Sequence, residues 1–107
     1  MLVFNSNTLL AFGKKHASAN NACRELNRTL RSAQWSKMQD IMAAYPSATA
    51  LNAERVVFKV KVNDCRAVVA FDFQRHAAFI KFLGTHAEYD GINALTIDLF
   101  AKRNPPP

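Results

Sequence analysis

Residues 55–73 read RVVFKVKVNDCRAVVAFDF, and this stretch decides the fold. In its first half, apolar residues alternate with residues of a second face, which carries Lys59 and Lys61. This period of two is typical of a half-buried strand. Asn63-Asp64 fits a two-residue hairpin loop, after which the second half returns as another strand. A third apolar run begins at Ala77. We therefore predict an antiparallel meander of three strands, Arg55–Val62, Cys65–Phe73 and Ala77–Leu83.

The sequence ahead of these strands has helical spacing. A short strand at Leu2–Phe4 is followed by three predicted helices, of which the first ends near His16 and the third is ended by Pro46. Helices followed by a meander predict an α+β fold in which N-terminal helices pack on one face of a small antiparallel sheet. The other face is then open to a ligand.

The length and charge of the chain limit the classes of function that it can have. The 107 residues suit one domain, which we place at residues 1–100, with a disordered proline-rich tail at residues 101–107. Fourteen basic and eight acidic residues give a net charge of +6, which favours a polyanion such as nucleic acid, or an acidic protein. Without a secretory signal or a run of roughly 20 apolar residues, we expect a cytoplasmic protein with no membrane partner. Cys23 and Cys65 have no metal-binding spacing, and we expect buried thiols and no metal or cofactor.

The predicted hairpin gathers cations on the open face. A two-residue loop places Val62 opposite Cys65, Lys61 opposite Arg66 and Lys59 opposite Val68. If Ile80 and Phe82 are both buried, Lys81 joins this face. Like charges placed together destabilise a sheet unless an anion lies between them. The cations therefore form either a phosphate site or a solvated surface, and the pattern alone does not decide between them.

The segment after the third strand reads GTHAEYDG, residues 84–91. Thr85 and Glu88 have the spacing of a capping box, which predicts one helical turn. His86 and Tyr89, three residues apart, then project from the same side. Cleavage of RNA needs a base for the 2′-hydroxyl proton, an acid for the leaving oxygen and cations for the phosphorane. This turn supplies such groups, although an imidazole or a phenol considered singly is more often structural.

The run FIKFLGTHAEYD at residues 79–90 resembles the C-terminal signature of HigB-type toxins of type II toxin–antitoxin systems, in the RelE superfamily. Features before it fit as well: Trp35, Tyr45–Ala48, Arg55–Phe58, Asn63 and Arg66. The resemblance covers roughly residues 33–97. It implies a RelE-like fold and a metal-independent endoribonuclease that cleaves mRNA, usually on translating 70S ribosomes. It also implies a HigA-like antitoxin with a helix-turn-helix domain. The toxin would then bind operator DNA only through this antitoxin.

Carried over by position, the resemblance implies four catalytic residues, Arg66, Lys81, His86 and Tyr89. Lys59 and Lys61 are the implied RNA contacts, and Thr85 and Glu88 support the site. The chain departs from the family pattern at Asp64, Cys65 and Lys81, where a lysine, an aromatic residue and an arginine are common. The alternatives are a non-enzymatic RNA-binding or ribosome-binding domain, and a weakened toxin that serves mainly as an antitoxin-binding partner.

Overall fold

The computed structural model describes residues 1–60 and 65–99. It contains a five-stranded sheet with the strand order β1-β5-β4-β3-β2 and four α-helices. The strands are β1 (Leu2–Phe4), β2 (Thr49–Ala50), β3 (Arg55–Val60), β4 (Cys65–Asp72) and β5 (Ala77–Thr85). The helices are α1 (Ser6–Lys15), α2 (Asn20–Ser32), α3 (Met38–Ala44) and α4 (His86–Asp90), with a 3₁₀ turn at Ala17–Ala19. The α+β class is confirmed. The predicted tail at 101–107 lies outside the described residues, as do Lys61, Asn63 and Asp64.

The sheet is mixed, which corrects the expectation of a wholly antiparallel one. Strands β3, β4 and β5 form the predicted antiparallel meander. The short strand β1 pairs with β5 in parallel, with Leu2 opposite Ala77. Strand β2 lies in a segment that we expected to be only a connection, and it pairs with β3 through Thr49 and Ala50.

The register of the β3–β4 hairpin differs from the predicted one by two residues on β3. Val60, not Val62, lies opposite Cys65, and Lys59, not Lys61, lies opposite Arg66. Residues 61–64, which separate Val60 from Cys65 in the sequence, lie outside the described residues. A shift of two positions keeps each side chain on its predicted face, because side chains alternate along a strand.

One face of the sheet packs against the helices, as predicted. Buried residues of the helices and of strands β3 to β5 form one apolar cluster, which includes Leu9, Cys23, Leu30, Ile41, Val56, Phe58, Val69 and Ile80. Cys23 and Cys65 are both buried and neither forms a disulfide, which confirms the prediction for the thiols. Burial raises the pKa of the Cys23 thiol to about 11.

The other face, which we call the second face, is not open. A β-bulge between Val68 and Val69 turns Phe82 onto this face, whereas the sequence pattern placed it with Ile80 in the core. Residues 91–99, the C-terminal strap, lie over the second face. They pack Ile92, Ala94 and Ile97 against a small cluster of Val57, Val68 and Phe82. Among the described residues, no helix has the length and apolar character needed to cross a membrane.

Candidate functional site

Helix α4 begins with the predicted capping box. The Thr85 hydroxyl accepts a hydrogen bond from the Glu88 backbone N–H at 3.2 Å, and Glu88 Oε1 accepts one from the Thr85 N–H at 2.8 Å. The bond from the Thr85 backbone holds the pKa of the Glu88 carboxyl below its usual range. A five-residue helix has little stability of its own, so this box and packing define its start.

Gly84 lets α4 fold back closely onto the end of β5. A Cβ atom at this position would lie 2.7 Å from Phe82 Cζ and 3.0 Å from Glu88 Oε1. Both distances are shorter than an ordinary van der Waals contact. The absence of a side chain at Gly84 therefore brings His86 and Tyr89 next to the sheet.

An acidic residue of the same helix lies beside His86. The Nδ1 atom of His86 is 3.2 Å from Asp90 Oδ2, which is an ion-pair distance when the imidazole is protonated. Both side chains are half or more exposed, so a ligand can reach the imidazole from solvent. Sequence reasoning missed Asp90, although its spacing of four residues from His86 was a readable signal.

Tyr89 is partly buried and packs against the second face. Its ring centroid lies 6.3 Å from that of Phe82, with the rings tilted by 55°. Within residues 1–60 and 65–99, the Tyr89 hydroxyl has no hydrogen-bond partner. A fixed ring with an uncommitted hydroxyl can donate a proton or a hydrogen bond to a ligand.

Arg66 brings a buried positive charge to the base of α4. It is only 8% exposed, and it lies opposite Lys59 on one side and Gly84 on the other. Its guanidinium donates to the Cys65 carbonyl oxygen at 3.2 Å, and no carboxylate in the described part of the chain forms a salt bridge with it. Burying an unneutralised charge is costly, so this position favours an anionic ligand.

Lys81 does not join this group. It falls at the β-bulge, three residues before Gly84, and the Val68–Phe82 pair lies between it and Arg66. At about 3.3 Å per residue, its backbone is roughly 10 Å from that of Gly84. Its ammonium pairs with Asp98 Oδ2 at 2.9 Å and lies 5.5 Å from the centre of the Phe79 ring. Lys81 thus lies close to Val68, as predicted, but Lys59 lies opposite Arg66 rather than opposite Val68, so the cations are spaced more widely than expected.

Sequence reasoning also missed the residues that fix the strap beside Lys81. Arg55 Nη1 donates to the carbonyl oxygens of Ala94 and Ile97, at 3.0 and 2.7 Å. The Leu99 N–H donates to the Lys81 carbonyl oxygen at 3.0 Å. These partners are far apart in the sequence, so no local spacing of residues predicts the contacts. The structure thus pairs Lys59 with Arg66 and Arg66 with Gly84, the residue from which the turn with His86, Tyr89 and Asp90 follows. Lys81 lies further along β5 beside the strap.

The described residues contain no group of three His, Cys, Asp or Glu side chains that could hold a metal ion. The helix α4 and the strand position paired with its start carry groups suited to acid–base chemistry on an anion: an imidazole, a phenol and a guanidinium.

Comparison with known proteins agrees with this arrangement. No curated protein matches the chain. A family model does match it over residues 19–92 of 107, and it describes HigB toxin, the RelE-like toxic component of a toxin–antitoxin system. The matched region begins at the end of the 3₁₀ turn and includes α2, α3, strands β2 to β5 and α4. With well over half of its length matched, the chain belongs to the HigB family of RelE-like toxins.

Proposed function

We propose that this toxin is a metal-independent endoribonuclease that cleaves mRNA, acting on translating ribosomes. The observation that carries the proposal is the capped turn just after Gly84, the strand residue paired with buried Arg66, because this turn carries both His86 and Tyr89. A surface that only bound RNA would need the cations but not an imidazole with a carboxylate 3.2 Å from its Nδ1.

The reaction would proceed by attack of the RNA on itself. His86 Nε2 takes the proton of a 2′-hydroxyl, and the 2′-oxygen forms a bond to the adjacent phosphorus. The bond from phosphorus to the 5′-oxygen breaks, and Tyr89 gives its phenolic proton to that oxygen. The products are a 2′,3′-cyclic phosphate and a 5′-hydroxyl end. Asp90 does not touch the RNA and acts as a positioning residue, because it fixes the tautomer and orientation of His86.

The cations would divide between the reacting phosphate and its neighbours. Arg66 is nearest to α4, and its forked guanidinium suits the negative charge of the phosphorane. Lys59 lies opposite it and is exposed, and with Lys61 it would hold the RNA backbone. Lys81 is about three residues further along β5, so we assign it to another phosphate of the same strand.

As a toxin of a toxin–antitoxin system, the protein has an antitoxin as its partner. We propose that this antitoxin is HigA-like, with a helix-turn-helix domain that binds operator DNA for the complex. We also propose the cytoplasm as the place of action, since that is where mRNA and the 70S ribosome are found.

Expression of the chain without its antitoxin tests the proposal. Wild-type protein should arrest growth and stop incorporation of labelled amino acids within minutes, and His86→Ala should do neither at equal protein level. Normal growth with full-length wild-type protein on a blot would reject an active toxin. Equal arrest by both proteins would instead indicate a domain that blocks ribosomes by binding.

A further inference from the structure

Three sets of contacts hold the C-terminal strap against the second face. Its apolar side chains cover the Val57, Val68 and Phe82 cluster, and Arg55 binds two of its carbonyl oxygens. Its end is joined to β5 by the bond from the Leu99 N–H to the Lys81 carbonyl oxygen. The family match ends at Ile92, so most of the strap lies beyond the part of the chain that the family model describes.

The strap brings the carboxylate of Asp98 to the ammonium of Lys81, on the second face of the sheet. Asp98 Oδ2 lies 2.9 Å from the Lys81 ammonium, and the two side chains are only 28% and 23% exposed. A carboxylate and a phosphate offer an ammonium the same kind of anionic oxygen at similar distances. While this pair is formed, Lys81 cannot bind a phosphate at full charge.

We propose that the strap is an autoinhibitory element, in which Asp98 occupies the phosphate subsite of Lys81 and an RNA phosphate must displace it. The inference rests on the proposed function, since it concerns how the same surface takes up RNA. The strap need not leave the sheet for this exchange, because Arg55 and the apolar contacts hold it without using Asp98. The exchange requires the Asp98 carboxylate to leave the Lys81 ammonium.

Because Asp98 acts through Lys81, the effect of an Asp98 substitution on RNA affinity should depend on whether Lys81 is present. In wild-type protein Asp98 competes with RNA for Lys81, so Lys81→Ala should lower RNA affinity less when Asp98 is present than in the Asp98→Asn background. Asp98→Asn keeps the shape of the side chain and removes its charge, which frees Lys81 for a phosphate. Each phosphate that a protein neutralises releases counterions, so RNA affinity should rise and depend more steeply on salt.

The test is binding of a fluorescein-labelled single-stranded RNA 12-mer with 2′-O-methyl groups, which lacks the attacking hydroxyl. We compare wild type, Asp98→Asn, Lys81→Ala and the double variant by fluorescence anisotropy over a salt titration. Asp72→Asn is the matched control, because it removes one negative charge from the cleft that Asp72 and Lys81 both line, but from a carboxylate that pairs with Arg75. Asp98→Ser replaces Asp98→Asn if the latter does not fold.

We expect Asp98→Asn to lower the Kd by about three- to tenfold at low salt, and Asp72→Asn to lower it by less than about twofold. The gain should vanish when Lys81 is also alanine. Equal effects of Asp98→Asn and Asp72→Asn, or a gain that persists without Lys81, would overturn the inference while leaving RNA cleavage by the wild type intact. No RNA binding and no cleavage by any of these proteins would reject the proposed function and the inference together.

Discussion

His86 and Tyr89 share one short helix but have different surroundings. The imidazole is half exposed and lies 3.2 Å from an Asp90 carboxylate oxygen, whereas the phenol ring packs on Phe82 and belongs to the second apolar cluster. A change at His86 should therefore affect chemistry with little effect on stability. A change at Tyr89 can affect both, so only the removal of its hydroxyl separates the two roles.

Two substitutions test the catalytic assignment of this helix. His86→Ala and Tyr89→Phe should each reduce single-turnover RNA cleavage by tenfold or more, since general acid–base groups typically contribute about 10²–10⁴. RNA affinity should change little. The double variant should lose less than the product of the two effects, because both groups serve one transition state. Circular dichroism on the same samples is the control, and full activity in a destabilised His86→Ala protein would end the catalytic claim.

Asp90→Asn tests whether Asp90 positions His86. An amide can donate to Nδ1, which would leave the ring with its proton on Nε2, the wrong atom for a base. We expect a fall in the cleavage rate at saturating protein of about tenfold or more with unchanged RNA affinity. Nitrogen NMR of labelled histidine should show the change of tautomer. A change of rate without a change of tautomer would assign Asp90 another role.

At the scale of elements, the capping box of α4 makes its stability depend on pH. The carboxyl pKa of Glu88 is lowered in the folded protein, so its carboxylate adds stability above the pKa of the unfolded chain. That stability is lost as the pH falls through the lowered folded value. Gln keeps an acceptor oxygen and can complete a capping box without a titrating group.

Glu88→Gln should therefore flatten the acid side of the stability curve. At pH 7 its Tm should lie within about 2 °C of that of the wild type. Between pH 5 and pH 3 the wild-type Tm should fall more steeply than that of Glu88→Gln, as measured by circular dichroism. Parallel curves would show that the capping box does not affect global stability.

Local patterns predicted most of these elements. The alternation in residues 55–73 predicted β3 and β4, and the spacing of Thr85 and Glu88 predicted the start of α4. The hairpin register was wrong because Asn63-Asp64 resembles a two-residue loop, whereas the pairing of Val60 with Cys65 leaves four residues between them. The bulge at Val68 was not predicted, because its cause is tertiary: it turns Phe82 onto the second face, where the strap covers it.

At the scale of the whole molecule, the site depends on contacts between distant parts of the chain. The strap reaches Arg55 and Lys81 across 39 and 17 residues, and no periodicity in the sequence encodes such pairs. The sequence therefore supplied candidate residues for the site, but it placed Lys81 with Arg66, whereas Lys81 pairs with Asp98 of the strap. The net charge of +6 belongs to the entire chain and favours binding of RNA on any surface where the cations are exposed.

Removing charge should differ from removing chemistry. Lys59→Ala with Lys61→Ala should weaken RNA binding, and the slope of log K against log salt should fall by about 0.7 for each phosphate of single-stranded RNA that the variant no longer neutralises. The matched control is Arg28→Ala, an exposed cation on α2, on the helical side of the sheet. An unchanged salt slope in the double variant would show that this end of the second face does not hold RNA.

The central claim is that this toxin cuts mRNA, and mapping the cut ends tests it most directly. Purified protein is added to ribosomes translating a defined mRNA and to the same mRNA alone, and new 5′ ends are located by primer extension. The account predicts new ends within the reading frame on the ribosomes for wild-type protein, and none for folded His86→Ala. Intact mRNA, with folded wild-type protein bound to the ribosomes, would contradict it.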